Sequence, residues 1–198
     1  MLLYFVIAIR TFLSNSDCAR YKEGMRAGEE STSAEQHLLK LLEEKQVKKE
    51  CCIVYCHKRE TCEEIAHLLQ HHHNSISCEV YHAGIGSAER QRIVIDFMNK
   101  KNHIIAATVA FGMGIDRDDV RLVVHWNVPK NVESFYQESG RAGMYIPSVR
   151  AIPLSCVNLS KDIASAVGRD GKPAHSLVYY SSTEAHKMEY LLLKEDEA

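Results

Sequence analysis

Residues 104–116 read Ile104-Ile105-Ala106-Ala107-Thr108-Val109-Ala110-Phe111-Gly112-Met113-Gly114-Ile115-Asp116, an apolar run that leads into a loop containing two glycines. The run at 104–108 is short and apolar, which predicts a buried strand. The loop after it carries a threonine, two glycines and an aspartate, a set that suits close approach of the backbone to a phosphate. A strand followed by such a loop is typical of open α/β sheets, in which ligands bind beyond the carboxyl ends of the strands.

Strand and helix patterns alternate on both sides of this segment. Further strands are predicted at residues 51–56, 78–82, 122–126 and 177–180. Helices are predicted at 38–42 and 62–69, from Ser87 as N-cap, from Val132 towards Arg141, and at 181–193. This alternation predicts a single α/β domain of parallel βαβ units, with helices on both faces of the sheet.

The composition is that of an ordinary globular chain. Its 198 residues are 45% hydrophobic and 25% charged, which excludes collagen and full disorder. The net charge of −2 provides no global basic field, so a nucleic-acid site is expected to be a local patch. The apolar run at 1–9 is too short to span a membrane and lacks the features of a secretory signal. We therefore predict no membrane association and no export.

The cysteine and histidine content raises the question of a metal site. Seven cysteines, an odd number, are scattered through the chain rather than set in a disulfide-like frame, and we expect reduced thiols inside the cell. The density of Cys and His between residues 51 and 73 invites a zinc hypothesis, but no C-x₂-C pair is present and strand cysteines behave as small hydrophobes. No metal site is predicted.

The ends of the chain show less pattern than its middle. Residues 14–36 carry Ser, Gly, Glu and Arg with little periodicity, which predicts a linker. We therefore expect a poorly structured arm at 1–36, the domain at 37–195 and a tail at 196–198.

Three loops with unusual residues are expected at the same edge of the sheet. They are Tyr81-His82-Ala83-Gly84-Ile85-Gly86, the loop within 107–116, and Gln137-Glu138-Ser139-Gly140-Arg141-Ala142-Gly143. An arginine among small residues suits contact with a phosphate oxygen. Each loop alone is a weak signal, because a glycine turn is usually only a turn. Three of them in order along one edge indicate a binding site.

Four segments of the chain resemble motifs IV, IVa, V and VI of the RecQ-family DNA helicases. They are Ile53-Val54-Tyr55-Cys56, Tyr81-His82-Ala83-Gly84, the residues from Ala107 to Asp116, and Tyr136 to Gly143. The match covers about residues 50–143 and resumes at 169–195, and His125-Trp126-Asn127 most resembles the RecQ-five branch. The resemblance implies the second RecA-like domain, a P-loop NTPase-type fold, of an ATP-dependent 3′–5′ DNA helicase.

The resemblance also implies cofactors, partners and a place in the cell. The complete helicase uses ATP and Mg²⁺ between two RecA-like domains and acts on single-stranded or forked DNA, and we expect a nuclear, monomeric protein. In this chain Thr108 is expected to contact the phosphates of the DNA strand, with Arg59 and His82 as weaker candidates. Arg59 has an equally plausible role in a structural ion pair. Trp126, at a strand end, is expected in the core rather than stacked on a base.

The ATP site implied by the resemblance draws on the last two motifs. Gly114, Asp116, Gln137 and Arg141 are expected to bind ATP, with Asp116 near the ribose or paired with Arg141. Gln137 is expected near the γ-phosphate. Arg141 and Arg169 are expected to stabilise charge on the transferred phosphoryl group.

The chain departs from the family pattern in its phosphate-binding sequences. It contains no Gly-x-x-x-x-Gly-Lys-Ser/Thr and no Asp-Glu-x-His box. By itself it is therefore expected to bind no cofactor tightly and to hydrolyse no ATP. Two interpretations stay open: the motor half of a helicase, or a truncated, non-catalytic product with at most weak nucleic-acid binding.

A second departure lies inside the last motif. Gly143 is followed by residues 144–168, and only then by Arg169-Asp170-Gly171-Lys172-Pro173, so that joining Gly143 to Arg169 restores the family pattern. We interpret 144–168 as an insertion, either translated intron or a natural surface loop. Met144 stands where the family has its second arginine, and Met cannot donate a hydrogen bond.

Overall fold

A computed structural model describes residues 33–71, 76–112, 115, 117–130, 132–142, 150–153, 164–167 and 170–180. Within this part of the chain there are four helices and seven strands. The helices are α1 (Ala34–Val47), α2 (Arg59–Gln70), α3 (Ser87–Met98) and α4 (Val132–Ser139). The strands are β1 (Cys51–Tyr55), β2 (Glu79–Tyr81), β3 (Ile104–Ala107), β4 (Val120–His125), β5 (Arg150–Pro153), β6 (Ala164–Val167) and β7 (Pro173–Tyr180).

The strands form one sheet in the order β2-β3-β1-β4-β7-β5, with β6 also paired to β7. Every pairing is parallel except that of β6 with β7. In the centre, Val54 of β1 lies opposite Ala106 on one side and Val124 on the other. The predicted α/β fold with a parallel sheet is confirmed, and β6 is the one antiparallel exception among the described strands.

Alternate side chains of β1 pack into two apolar cores, one on each face of the sheet. Cys52 and Val54 pack in the core that contains the apolar side of α1 and α2, including Leu38, Leu42, Cys62, Ile65 and Leu69. Ile53 and Tyr55 pack in the other core, with Ile93 and Phe97 of α3. Because all five residues of β1 are buried, the strand reads as a continuous apolar run rather than an alternating one. Helices on both faces are thus confirmed.

The first helix, α1, begins inside the segment that was predicted to be a linker. Ser33 is its N-cap: the Ser33 Oγ accepts from the Gln36 backbone N–H at 3.2 Å, and Gln36 Oε1 accepts from the Ser33 N–H at 3.1 Å. This capping box starts the helix at Ala34, so residues 34–36 are helical and the prediction of a linker there is wrong. The rest of the predicted arm, residues 1–32, lies outside the described residues.

Several other boundaries differ from the prediction. Gly86, not Ser87, is the N-cap of α3, and Ser87 is the first helical residue. Strand β4 begins at Val120 rather than at 122, and β7 begins at Pro173 rather than at 177. Proline is tolerated as the first residue of a strand, which is why β7 starts there. The helix predicted at 181–193 and the tail at 196–198 lie outside the described residues.

Two strands come from the segment interpreted as an insertion. Strand β5 pairs with Leu177–Tyr180 of β7, and β6 pairs with the preceding residues from Pro173 to Ser176. Because β4 occupies the other edge of β7, β5 and β6 share the remaining edge end to end. Part of the segment is therefore hydrogen-bonded into the sheet. As regards membranes, no helix in the described part of the chain has the length and apolar character needed to span one.

The described cysteines belong to the cores. Cys51, Cys52, Cys56, Cys62 and Cys78 are all buried free thiols. Burial raises the pKa of Cys51 to about 12 and that of Cys78 to about 12 as well, because the thiolate would be poorly solvated. Cys51 and Cys78 therefore stay protonated in the folded chain at neutral pH, and we expect both to react slowly with alkylating reagents.

These pKa values predict a loss of stability at alkaline pH. In the unfolded chain thiols ionise near pH 8.5, whereas the buried ones hold their protons to about pH 12, so the unfolded state gains relative stability as the pH rises between these values. Each such thiol should lower the free energy of unfolding by about 1.4 kcal/mol per pH unit in that range. Urea unfolding under reducing conditions at pH 8 and pH 10 measures the effect. A Cys51→Ala/Cys78→Ala variant should show a smaller fall, and an equal fall would contradict the assignment.

Candidate functional site

The candidate site is built on the carboxyl ends of β2, β3, β1 and β4, which lie side by side in the sheet. Parallel pairing brings these ends to one edge, as in other open α/β sheets. His82 follows β2, Thr108 follows β3, and Arg59 opens α2 shortly after β1. Arg141 follows α4, the helix that comes after β4. The described candidate residues form two groups, one at each side of the loop that follows β3.

The first group is formed by Arg59 and His82, which meet at Gly84. The Gly84 backbone N–H donates to His82 Nδ1 at 3.2 Å, and His82 Nε2 lies 3.2 Å from Glu63 Oε1. A Cβ on Gly84 would lie 3.1 Å from His82 Nδ1 and 3.2 Å from Arg59 Nη1, tighter than ordinary packing. Glycine is therefore what lets both side chains approach this turn. His82 is 6% exposed and contacts the loop from its buried side. Arg59 is exposed at the surface.

Thr108 lies beside this group because β2 and β3 are neighbours. Tyr81 is opposite Ala107 in the register, and the Thr108 backbone N–H donates to the Tyr81 carbonyl at 3.1 Å. The Thr108 carbonyl in turn accepts from the Phe111 N–H at 2.9 Å, which turns the chain sharply after the strand. The structure thus brings Arg59, His82 and Thr108 to neighbouring strand ends.

The second group centres on Arg141, whose guanidinium is bound to the loop after β3. Its Nη2 donates to the Gly112 carbonyl at 2.6 Å and its Nη1 donates to the Ile115 carbonyl at 3.2 Å. A Cβ on Gly112 would come within 2.9 Å of Nη2, so a larger residue there would displace the guanidinium. The Arg141 Nε is buried and has no hydrogen-bond partner in the described part of the chain. Arg141 therefore keeps one donor available beneath the surface.

Tyr55 holds the same loop from the opposite side. Its hydroxyl donates to the Phe111 carbonyl at 2.9 Å, and the Tyr81 and Phe97 rings pack around Phe111. Burial raises the pKa of the Tyr55 hydroxyl, although the nearby Arg141 guanidinium acts to lower it. Tyr55 therefore remains a neutral donor at neutral pH, and the loop is held both by β1 and by Arg141.

A buried His–Glu pair beneath the site was missed by sequence reasoning. His125 Nε2 at the end of β4 lies 3.0 Å from Glu138 Oε2 in the last turn of α4, and their side chains are 1% and 9% exposed. The His125 ring also stacks on Tyr55, with centroids 5.8 Å apart. The Glu138 carbonyl accepts from the Arg141 N–H at 3.2 Å, so the pair adjoins the arginine-bearing turn. A histidine at the end of the apolar run Leu122-Val123-Val124 was the sequence signal.

The remaining candidates fall outside these groups or outside the described residues. Gln137 is exposed on α4, whereas Gly114, Asp116 and Arg169 are not among the residues that the structure describes. Asp170, which follows Arg169, is described and forms an ion pair with Arg121 at the start of β4. Trp126 packs against the core with its ring 5.0 Å from Tyr179, as predicted. Across the described ranges no three or more His, Cys, Asp or Glu side chains are grouped to hold a metal ion.

Comparisons with known proteins identify the family of the chain. Residues 33–145 match the family model "Helicase conserved C-terminal domain". The chain is 36% identical over 145 residues to ATP-dependent DNA helicase Q5 of Rattus norvegicus, covering 73% of this chain and 12% of the relative. It is 33% identical over 145 residues to ATP-dependent DNA helicase RecQ of Haemophilus influenzae, covering 73% and 19%. The chain therefore spans less than a fifth of the length of these relatives.

Solved structures show the same fold at low sequence identity. The structure titled S. cerevisiae Dbp5 bound to RNA and ADP BeF3 superposes with a TM-score of 0.56 at 15% identity, covering 81% of this chain and 35% of that one. At this identity the likeness shows the fold alone.

Proposed function

The chain belongs to the family of helicase conserved C-terminal domains, and from this premise we propose that it is the second motor half of a RecQ-type ATP-dependent 3′–5′ DNA helicase. In the complete machine a first RecA-like domain completes the ATP site, and hydrolysis drives movement on single-stranded or forked DNA. The RecQ-type relatives support the choice of DNA as substrate. We propose that the protein acts as a monomer in the nucleus.

One observation carries the proposal: a single loop connects the two groups of the site. At its start the loop presents Thr108, next to the group of Arg59 and His82. At its other end the carbonyls of Gly112 and Ile115 hold the guanidinium of Arg141. A motor needs its nucleotide and DNA sites to move together, and a shared loop provides a direct connection between them.

The described residues fit part of a phosphate site. Arg141 contributes a guanidinium whose Nε is buried without a described partner, and Gln137 is exposed on α4, five residues after the helix starts at Val132. ATP with Mg²⁺ supplies the phosphoryl group whose developing negative charge such an arginine stabilises. Arg141 would bind that charge by exchanging its contacts to the loop carbonyls for contacts to phosphate oxygens. We assign Gly114, Asp116 and Arg169 to the same site on the family pattern alone.

The chain by itself is expected to hydrolyse no ATP. Its 198 residues contain no sequence that cradles the phosphates, so nucleotide binding should be of millimolar affinity or weaker. Phosphate release by the purified chain, with and without single-stranded DNA, should stay at background. Turnover above background that is abolished in an Arg141→Ala variant would contradict this expectation.

The non-catalytic product is the second candidate function, favoured by the same lack of a phosphate-cradling sequence. Such a product would keep the edge of the sheet that carries Arg59, His82 and Thr108, but it would not hydrolyse ATP. The same ATPase assay on a longer product of the gene separates the two candidate functions. If the chain is the motor half of a helicase, the longer product should show DNA-stimulated hydrolysis.

DNA binding by the chain is expected to be weak and strongly salt-dependent. Few cations lie along the part of this edge that the structure describes, so the dissociation constant at physiological salt should be on the order of 10⁻⁴ M or weaker. Arg59→Ala should reduce the slope of log K against log salt by about 0.7, the value for one phosphate contact on a single strand. Fluorescence anisotropy with a labelled oligothymidylate measures this slope.

The matched control is Lys101→Ala, which removes a charge near the amino end of β3, where Lys101 Nζ pairs with Asp96 at 3.0 Å. The control should leave the slope unchanged, and Thr108→Ala should weaken binding. Tight binding that does not respond to salt would contradict the assignment.

We propose that residues 144–168 interrupt the family's last motif and originate as translated intron. The 25 residues correspond to about 75 nucleotides, which preserve the reading frame, and their removal joins Gly143 to Arg169. The strands β5 and β6 pair with the outer edge of β7, a position from which they can be removed without breaking the β4–β7 pairing. Separation of Arg169 from Arg141 would deprive the motor of a cationic finger, a loss on the order of 10³-fold in turnover.

Sequencing of cDNA across the codons for Gly143 and Arg169 tests this origin. We expect a population of transcripts that lacks the segment. Transcripts that retain it uniformly would contradict the intron origin and identify the segment as a natural loop of the fold.

A further inference from the structure

A small pocket opens between the carboxyl ends of β1 and β4, at the point where the strand order reverses. The chain leaving β1 passes through α2 to β2 on one side of the sheet, whereas the chain leaving β4 passes through α4 to β7 on the other side. Crevices at such reversal points are the usual ligand sites of open α/β sheets. Neither of the two groups described above includes this pocket.

The floor of the pocket carries an unsatisfied polar group. His125 lines the pocket and its side chain is 1% exposed. Its Nε2 lies 3.0 Å from Glu138 Oε2 without the alignment of a hydrogen bond, and its Nδ1 has no hydrogen-bond partner within the described ranges. A buried ring nitrogen left unpaired costs free energy, and a polar group in the pocket that paired with Nδ1 would offset that cost.

The rim of the pocket carries a lysine and a histidine, and the carboxylate of Glu138 also lines the pocket. His57, after β1, and Lys130, after β4, both line the pocket and are exposed. Asn127 lies between them, where its Oδ1 accepts from the His57 backbone N–H at 3.4 Å. Because neighbouring strands are about 4.8 Å apart, these residues continue the row of strand ends one and two strands beyond Thr108. The rim therefore extends the same edge that carries Arg59 and His82.

The size of the pocket limits what can enter it. The space is wide enough for a single water-sized group, and it is too small for a nucleobase or an ATP molecule. A phosphate can lie at the rim between His57 and Lys130, with one small polar group, such as a phosphate oxygen or a bridging water, below it.

We propose that this pocket is a further subsite for single-stranded DNA, and that one phosphate of the strand that passes Thr108 is bound at its rim. Lys130 neutralises the phosphate, His57 donates a hydrogen bond to it, Asn127 positions the rim, and the buried Nδ1 of His125 completes its hydrogen bonding with the small group that enters the pocket. The subsite rests on the proposed function, because it needs the DNA strand to follow this edge of the sheet.

The test measures binding of a labelled oligothymidylate to the whole chain over a potassium chloride series. Lys130→Ala should reduce the slope of log K against log salt by about 0.7, as one lost phosphate contact does, and His57→Ala should weaken binding in the same assay. Lys101→Ala, which removes an equal charge at the opposite edge of the sheet, should leave the slope unchanged. In NMR spectra of the chain, the ring resonances of His125 should shift when the oligonucleotide is added, and the shift should diminish in Lys130→Ala.

The outcomes separate the two proposals. Salt-dependent binding that Lys130→Ala and His57→Ala leave unchanged, with no shift at His125, would overturn the subsite and leave the proposed function standing. No binding by the parent chain at low salt would overturn the proposed function and the subsite with it. Because His57 and Lys130 are exposed side chains, neither substitution is expected to disturb folding.

Discussion

The parallel pairing of β1 with both β3 and β4 is the constraint on which the rest of the structure depends. With Val54 opposite Ala106 and Val124, the three strands end together, and the loops that follow them meet at one edge. Because β1 is buried on both faces, a shift of its register would exchange Cys52 and Val54 with Ile53 and Tyr55 between two different cores. The packing of the sheet therefore determines the geometry of the site.

The loop after β3 links the two groups of the candidate site. It is bound by Tyr55 through the Phe111 carbonyl and by Arg141 through the carbonyls of Gly112 and Ile115. A guanidinium bound to two carbonyls makes charge-assisted hydrogen bonds, which are stronger than neutral ones. Any change at Arg141 is therefore transmitted to the loop that begins with Thr108, and this coupling is the physical content of the proposal that one domain links ATP to DNA.

Sequence reasoning predicted five of the seven described strands, the shared edge and the family, because apolar runs and glycine loops are local signals. The comparisons confirm the resemblance to RecQ-type helicases. Sequence reasoning missed the buried pair of His125 and Glu138, since a contact between a strand end and a helix depends on packing. It also missed the capping box at Ser33, although the Ser-x-x-Gln pattern was readable. Sequence reasoning also did not predict the pairing of β5 and β6 with β7, because short strands are ambiguous without their partners.

The central claim is that Arg141 is bound to the loop that begins at Thr108, the residue proposed to contact DNA. NMR of the arginine side chains tests it most directly, because the Nε proton of a docked guanidinium exchanges slowly with water and that of an exposed one exchanges fast. The account predicts a slowly exchanging Arg141 signal, lost or displaced in Gly112→Ala, where a Cβ would come within 2.9 Å of Nη2. It also predicts that the signal shifts when single-stranded DNA is added. Fast exchange at Arg141, with no response to Gly112→Ala or to DNA, would contradict it.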